Sequence, residues 1–299
     1  MATNPASVLE LPKARWVTDD VAMLYDMATR FLSEEIAPKY DAFEEAEIFD
    51  RESWKKAGAN GLLCASMPEQ YGGSGGTFAH ESAIIEAISH VGVDGFGIAL
   101  HNSIVAPYIL HYGSEEQKKK WLPRMASGEL IGAIAMTEPG AGSDLQGVKT
   151  RAEKDGNHYR ISGSKTFITN GQLANLIIVV TKTDPAKGAK GTSLIVVETD
   201  EVEGFQRGRN LDKIGLKSNN LQPARPCRGP GLRPADAAAA AGAPADRHHR
   251  DLDDRTGARP DHRLRQGAQG VRQVDPRVPE HPVQARRAED GGDDRPRLL

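Results

Sequence analysis

The feature that most constrains this 299-residue chain is a break in composition near residue 220. Every Phe, Tyr, Trp, Met, Ile and Lys lies before it, whereas residues 221–299 hold 15 of the 23 Arg and 10 of the 18 Pro. A segment this poor in large apolar side chains has little to set against the roughly 1–2 kcal/mol per residue that ordering a backbone costs. The pattern predicts two ordered domains, 1–128 and 129–220, followed by a disordered Arg/Pro/Ala/Gly-rich tail over 221–299. Length agrees, since domains average roughly 150 residues.

Charge and cysteine usage exclude several classes of function. The formal net charge is −3, so no global basic field draws the chain to nucleic acid or an anionic membrane. Two cysteines, Cys64 and Cys227, make neither a disulfide framework nor a four-thiolate zinc site, and no metal centre is expected. No apolar run reaches the roughly 18 residues of a membrane span, and residues 1–14 lack the apolar stretch of a signal peptide. The expectation is a soluble cytoplasmic protein without a nucleic-acid partner.

Up to about residue 125 the apolar residues recur at helical spacing. Thr18 precedes Val21, Leu24, Ala28, Phe31, Leu32 and Ile36, a helix expected to end near Pro38. A second helix starts at Asp50 and carries Trp54 and Ala57, and a third holds Ile84, Ile85, Ile88 and Val91. Residues 98–110 form a fourth, interrupted by Pro107, and Ser114-Glu115-Glu116-Gln117 is a capping box opening a fifth toward Trp121. The glycine-rich stretch 72–76 reads as a mobile connector, because no Lys-Ser/Thr follows it.

After Gly128 the period changes to short Ile/Val-rich runs at 131–136, 160–168, 176–182 and 193–198, divided by turn signals such as Asp155-Gly156 and Asn170-Gly171. The fold class is therefore α+β multidomain: an all-α domain, then a small all-β, antiparallel, barrel-like domain. A nicotinamide-binding βαβ unit does not fit.

Two segments carry candidate chemistry. In the run from Ala135 to Gly147, AMTEPGAGSDLQG, Pro139, Gly140 and Gly142 shape a tight loop with exposed N–H groups, while Thr137 and Ser143 add hydroxyls. Such a loop suits a polar heterocycle or a diphosphate, and an ordinary surface loop equally. In Phe167-Ile168-Thr169-Asn170-Gly171, alternation puts Phe167 and Thr169 on one face of a strand end. That pairing suits ring stacking plus a hydrogen bond, or else a core Phe beside a turn Thr.

Both segments, in this order and spacing, resemble the acyl-CoA dehydrogenases, and the first fits that family's thirteen-residue signature throughout. Further stretches look like family motifs: Pro68-Glu69-Gln70-Tyr71-Gly72-Gly73, Leu100-His101-Asn102, Tyr112-Gly113-Ser114-Glu115-Glu116-Gln117-Lys118, Ala126-Ser127-Gly128-Glu129 and Lys213-Ile214-Gly215-Leu216-Lys217-Ser218. The resemblance, to long-chain and isovaleryl-type members, covers roughly residues 18–219. It implies a C-terminal four-helix domain after the other two, a homotetramer, and FAD as cofactor. It also implies oxidation of an acyl-CoA to a trans-2-enoyl-CoA, with an electron-transferring flavoprotein as acceptor. An acyl-CoA oxidase or a flavin monooxygenase is the alternative within the fold, and an inactive truncated fragment lacking the catalytic base is the alternative that is no enzyme.

Carried over by motif, the resemblance places Ile134, Met136, Thr137, Gly142, Ser143, Phe167, Ile168 and Thr169 against FAD, with Ser143 also meeting the thioester substrate. Thr137 lies near the pyrimidine end of the flavin and Thr169 near N5. Phe167 stands where the family often has Trp, which keeps the apolar face and loses the indole N–H. Residues 100–103 are placed toward the acyl chain.

The catalytic glutamate of the family has no counterpart in this chain, and the tail suggests why. If each displayed codon begins at the third base of a true codon, the second displayed base equals the first true base. Under that single offset residues 264–287 can encode YVKERKAFGKSILEFQNTQFKLAE, a string similar to the family's last-domain helix, with all 24 positions meeting the constraint. The same offset lets residues 239–244 encode LPQERL, which places Gly242 in the register of the glutamate. The interval of 22 residues from Gly242 to Leu264 agrees with the family's glutamate-to-tyrosine spacing. A frameshift near residues 218–221 is therefore expected. His248-His249 and Asp253-Asp254 are then accidental pairs, and the chain as written should bind FAD weakly or not at all.

Overall fold

The computed structural model describes residues 15–156 and 158–225, all within one compact unit. Cys227, Gly242, His248-His249, Asp253-Asp254, the expected tail disorder and the offset-decoded stretches lie outside the described residues.

The helical half follows its caps. Helix α1 (Asp19–Phe31) starts after Thr18 with Asp19 and Asp20 in its first turn, where the helix dipole favours acids. The path does not stop at Pro38. It widens into a π turn at Leu32–Ile36, tightens into a 3-10 turn at Ala37–Lys39 that takes Pro38 in its first positions, and resumes as α2 (Tyr40–Ala46). Proline is accommodated by the change of pitch: the Ala37 N–H donates to the Leu32 carbonyl and the Tyr40 N–H to the Ala37 carbonyl, so the bonding passes over the N–H that Pro38 lacks. Asp50 caps α3 (Arg51–Ala59) by accepting from the Ser53 N–H at 2.6 Å. Thr77 and His80 cap α4 (Phe78–Val91).

The expected fourth helix is α5 (Ile98–Leu100), a π turn at His101–Val105 and α6 (Ala106–Tyr112), with Pro107 in the first turn of α6. The capping box holds at α7 (Glu115–Ala126): the Gln117 N–H donates to Ser114 Oγ and the Ser114 N–H to Gln117 Oε1. The glycine-rich stretch at 72–76 is not a loose connector. The N–H groups of Gly75 and Gly76 donate to the carbonyls of Met67 and Ala65, and a side chain on Gly73 would strike the Met67 backbone.

Among the described residues the β half holds eight strands: β1 (Gly132–Ala135), β2 (Arg151–Asp155), β3 (His158–Ser162), β4 (Lys165–Ile168), β5 (Leu176–Lys182), β6 (Thr192–Glu198), β7 (Gln206–Arg207) and β8 (Gln222–Arg225). One sheet is built on β5, which pairs with β6 along one edge and with β1, then β2, along the other; β3 pairs with β2. The second sheet has the order β4-β8-β7.

The turn signals predicted antiparallel pairing throughout, yet β1 and β2 run parallel to β5. The chain leaves β1 and reaches β5 only after a long excursion through three other strands, and such a return can enter in either direction. The ordered fold also runs past residue 220, because β8 pairs with both β4 and β7.

Alternation along the central strands separates two cores. Ile134, Leu176, Ile178 and Val196 face the helices, packing with Val105, Ile109, Trp121, Leu122 and Met125. Ala133, Ala135, Ile177, Val179, Ile195 and Val197 face the second sheet, packing with Ile168 and Ala224. The β1, β5 and β6 portion of the first sheet is thus covered on both sides, which explains why those strands read as continuous apolar runs.

The halves are tied by polar bonds as well. Trp121 Nε1 donates to Glu198 at 2.8 Å, and Arg51 donates to the Leu173 carbonyl at 2.6 Å. The Glu44 carboxylate of α2 accepts from the N–H groups of Lys217 and Ser218 at 2.9 and 3.0 Å, and from the Ser218 hydroxyl.

Candidate active site

The two segments singled out above converge where the end of β1 meets β4. The Thr166 N–H donates to the Thr137 carbonyl at 2.8 Å, and the Lys165 ammonium donates to the Met136 carbonyl at 2.9 Å. Beyond Thr137 the chain folds into a tight turn in which Glu138 and Ala141 exchange N–H to O bonds of 2.8 and 3.1 Å.

Beneath that turn Glu138 is 7% exposed and Lys165 1% exposed, and they form an ion pair of 2.9 Å. Glu138 also accepts from the N–H groups of Lys149 at 2.7 Å and Thr150 at 2.9 Å. Burial alone would raise the Glu138 carboxyl, but hydrogen bonds from Thr150, Lys165 and Lys149 outweigh it and hold its pKa down to about 2. Burial pulls Lys165 below the usual lysine value, with Glu138 acting against the shift.

Above this pair the eight sequence-predicted residues divide by exposure. Gly142, Ser143 and Phe167 are exposed, while Met136, Thr137 and Thr169 are half-buried. Ile134 and Ile168 point into the helix-facing and sheet-facing cores, so only their main chain is on offer. The N–H groups of Gly142 and Ser143 meet no acceptor among the described residues. Phe167 is 60% exposed and holds a left-handed backbone, φ 57°. It lies on the opposite side of β4 from Ile168, as alternation expects, and the β4–β8 ladder shifts register between Lys165 and Ile168. A register shift of this kind re-aims a side chain at a sheet margin.

Residues 100–103 divide: Leu100 and Ser103 are half-buried, while the two between them face inward. His101 and Asn102 are 0% and 1% exposed and are fully engaged in the interior. Asn102 donates to the Leu62 carbonyl and Glu81 and accepts from the Cys64 N–H; Glu81 in turn accepts from the Ser66 N–H. His101 accepts from the Gly132 N–H at Nδ1 and bonds the Met125 carbonyl at Nε2, which makes it neutral with the proton on Nε2. Burial depresses its pKa to about 4.

Three contributors escaped sequence reasoning: Glu138, Lys165 and Asn170. Asn170 sits at φ 63° and donates to the carbonyls of Gly97 at 3.0 Å and Gly132 at 3.3 Å. An Asn-Gly pair at a strand end is a signal for left-handed backbone, but nothing local reveals which carbonyls it meets. No cluster of three or more His, Cys, Asp or Glu able to hold a metal occurs among the described residues, and no helix among them is long and apolar enough to cross a membrane.

Comparison with known proteins gives a consistent set. The profile of the acyl-CoA dehydrogenase N-terminal domain matches residues 18–129, and that of the acyl-CoA dehydrogenase middle domain matches residues 133–225. The mitochondrial long-chain specific acyl-CoA dehydrogenase of Sus scrofa is 44% identical over 223 residues, covering 71% of this chain and 52% of that protein. A crystal structure of acyl-CoA dehydrogenase from Geobacillus kaustophilus superposes with a TM-score of 0.71 at 45% identity, over 75% of this chain and 59% of that one. A glutaryl-CoA dehydrogenase from Mycobacterium smegmatis, solved in complex with FADH2, superposes at 0.67 with 28% identity, over 74% and 56%. The chain spans about half the length of the curated relatives it matches.

Proposed function

The chain belongs to the acyl-CoA dehydrogenase family across residues 18–225, and on that premise we propose that its β1–β4 junction is the flavin-facing half of a site for FAD-dependent α,β-dehydrogenation of a fatty acyl-CoA. The observation that carries this reading is the bond from the Thr166 N–H to the Thr137 carbonyl, which brings the two motif segments onto one surface. The residues there fit a flavin. Phe167 offers an exposed aromatic side chain, Thr137 and Thr169 are half-buried residues that carry hydroxyls, and the N–H groups of Gly142 and Ser143 are free of protein acceptors among the described residues.

FAD, when bound, supplies the two-electron acceptor for the reaction, whose product is a trans-2-enoyl-CoA. The chain's own residues supply placement. Phe167 packs against the ring system, with Ile134, Met136 and Ile168 contributing main chain around it. Thr137 and Thr169 direct hydroxyls to the ring edge. Gly142 and Ser143 present main-chain donors, and Ser143 reaches the thioester side. An electron-transferring flavoprotein is the acceptor we assign, and the family's homotetramer the assembly.

The composition break favours a second statement about the same chain: residues after about 220 are an out-of-frame translation, and the catalytic base is missing at the register of Gly242. Removing a general base costs roughly 10²–10⁴ in rate. The test is nucleotide sequencing across codons 218–221, followed by acyl-CoA-dependent dye reduction by the chain as written and by a frame-restored version. We expect no turnover and no stoichiometric flavin absorbance from the first, and turnover on long or branched acyl-CoAs from the second. An intact frame whose codons fail to decode the helix motif overturns the frameshift, and an inactive restored chain overturns the dehydrogenase reading.

A further inference from the structure

The segment 165–170 is held at both ends by side chains that reach toward β1, and its middle is strained. At one end Lys165 bonds the Met136 carbonyl at 2.9 Å and Glu138 at 2.9 Å, just past the C-terminal end of β1. At the other, Asn170 bonds the carbonyl of Gly132, where β1 begins, and that of Gly97, which precedes α5. Both anchors are buried, at 1% and 2% exposure. A side chain on Gly97 would strike the Asn170 amide, so the fit there depends on glycine. Between the anchors Phe167 adopts φ 57° at the shift of register, with 60% of its surface exposed.

Left-handed backbone is disfavoured for a residue with a bulky side chain, and Asn tolerates it far better. With so much of its surface exposed, the ring recovers little of that cost through its own packing. Such conformations persist only where the surroundings over-determine them.

We propose that Lys165 and Asn170 are positioning residues: two pins, one on each side of Phe167, that hold it in the left-handed conformation and so turn its ring outward. That the outward ring meets flavin rests on the function proposed above; the pinning itself does not.

The test is a double-mutant cycle read as melting temperature on the 299-residue chain without flavin. In the pinned background Phe167→Asn removes the strain and raises the melting temperature by about 2–4 °C. In the Asn170→Asp background, which keeps left-handed tolerance and loses the donor, Phe167 is free to relax and the same substitution gives no gain. Lys165→Met provides a second unpinned background should Asn170→Asp fail to fold, with the same loss of gain expected. A purely structural role for either anchor would lower the melting temperature additively and leave the Phe167→Asn gain unchanged. An equal gain in pinned and unpinned backgrounds overturns the assignment of the pins, and no gain in the pinned background overturns the strain. Failure of the flavin reading appears in the dye-reduction assay of the frame-restored chain and leaves this cycle standing.

Discussion

Two buried polar clusters, one in each half of the molecule, serve opposite ends. In the helical half Glu81, Asn102 and His101 are enclosed on every side, and their partners are main-chain groups at Leu62, Cys64, Ser66, Met125 and Gly132 together with one another. In the β half Lys165 is as deeply buried and Glu138 somewhat less so, and they lie directly under a turn whose outer residues are exposed. Buried polarity alone therefore does not mark a site. What separates the two clusters is whether the groups they hold face water or core.

The sharpest way to break this contrast is to remove one partner of each cluster. Glu138→Ala leaves the Lys165 ammonium buried and unpaired, a loss of about 3–5 kcal/mol and a fall in melting temperature on the order of 10 °C. Asn102→Ala strands the Cys64 N–H, the Leu62 carbonyl and one oxygen of Glu81, costing about 2–3 kcal/mol. Calorimetry of both variants checks the order; a smaller loss at Glu138 would show that water reaches Lys165.

Acid separates the halves along another axis. His101 has a folded pKa depressed to about 4, so its contribution is complete above its unfolded value near 6.5 and is lost as pH falls toward 4. Glu138, depressed to about 2 from 4.5, keeps its contribution down to about pH 4.5 and loses it as pH falls toward 2. Melting temperature against pH should thus fall in two stages, and His101→Gln should flatten only the upper one. A single stage in the native chain would refute the distinction. The smallest effect belongs to the exposed surface: Ser143→Ala should shift stability by no more than about 0.5 kcal/mol, because its side chain is exposed and makes no bond among the described residues.

The sequence made the helical half legible where caps and period coincide, at Asp50 and Ser114 and in the stripe through Ile84 and Ile88. It hid α2, because Pro38 read as a stop where the helix only changes pitch. In the β half the continuous apolar runs at β5 and β6 were visible. β2 (Arg151–Asp155), with four of its five residues exposed, and β7 (Gln206–Arg207), with both exposed, carry almost no apolar signal. At the site the outer residues were readable as a motif. Glu138 and Lys165 were not, since a carboxylate and an ammonium look like surface residues until a fold places them 2.9 Å apart in its interior. Asn170 was seen as a turn former, while its role as a bridge to Gly97 depends on a contact 73 residues distant.

Glu44 carries a further implication, one of timing. Its carboxylate is seated by the N–H groups of Lys217 and Ser218, the latter 174 residues downstream. During synthesis at roughly 5–20 residues per second, α2 emerges and waits about 10–35 s before that seat exists. The helical half spends this interval with Glu44 lacking its downstream donors, held by Tyr40 alone, and with the space for Ser218 beside Gly95 unfilled.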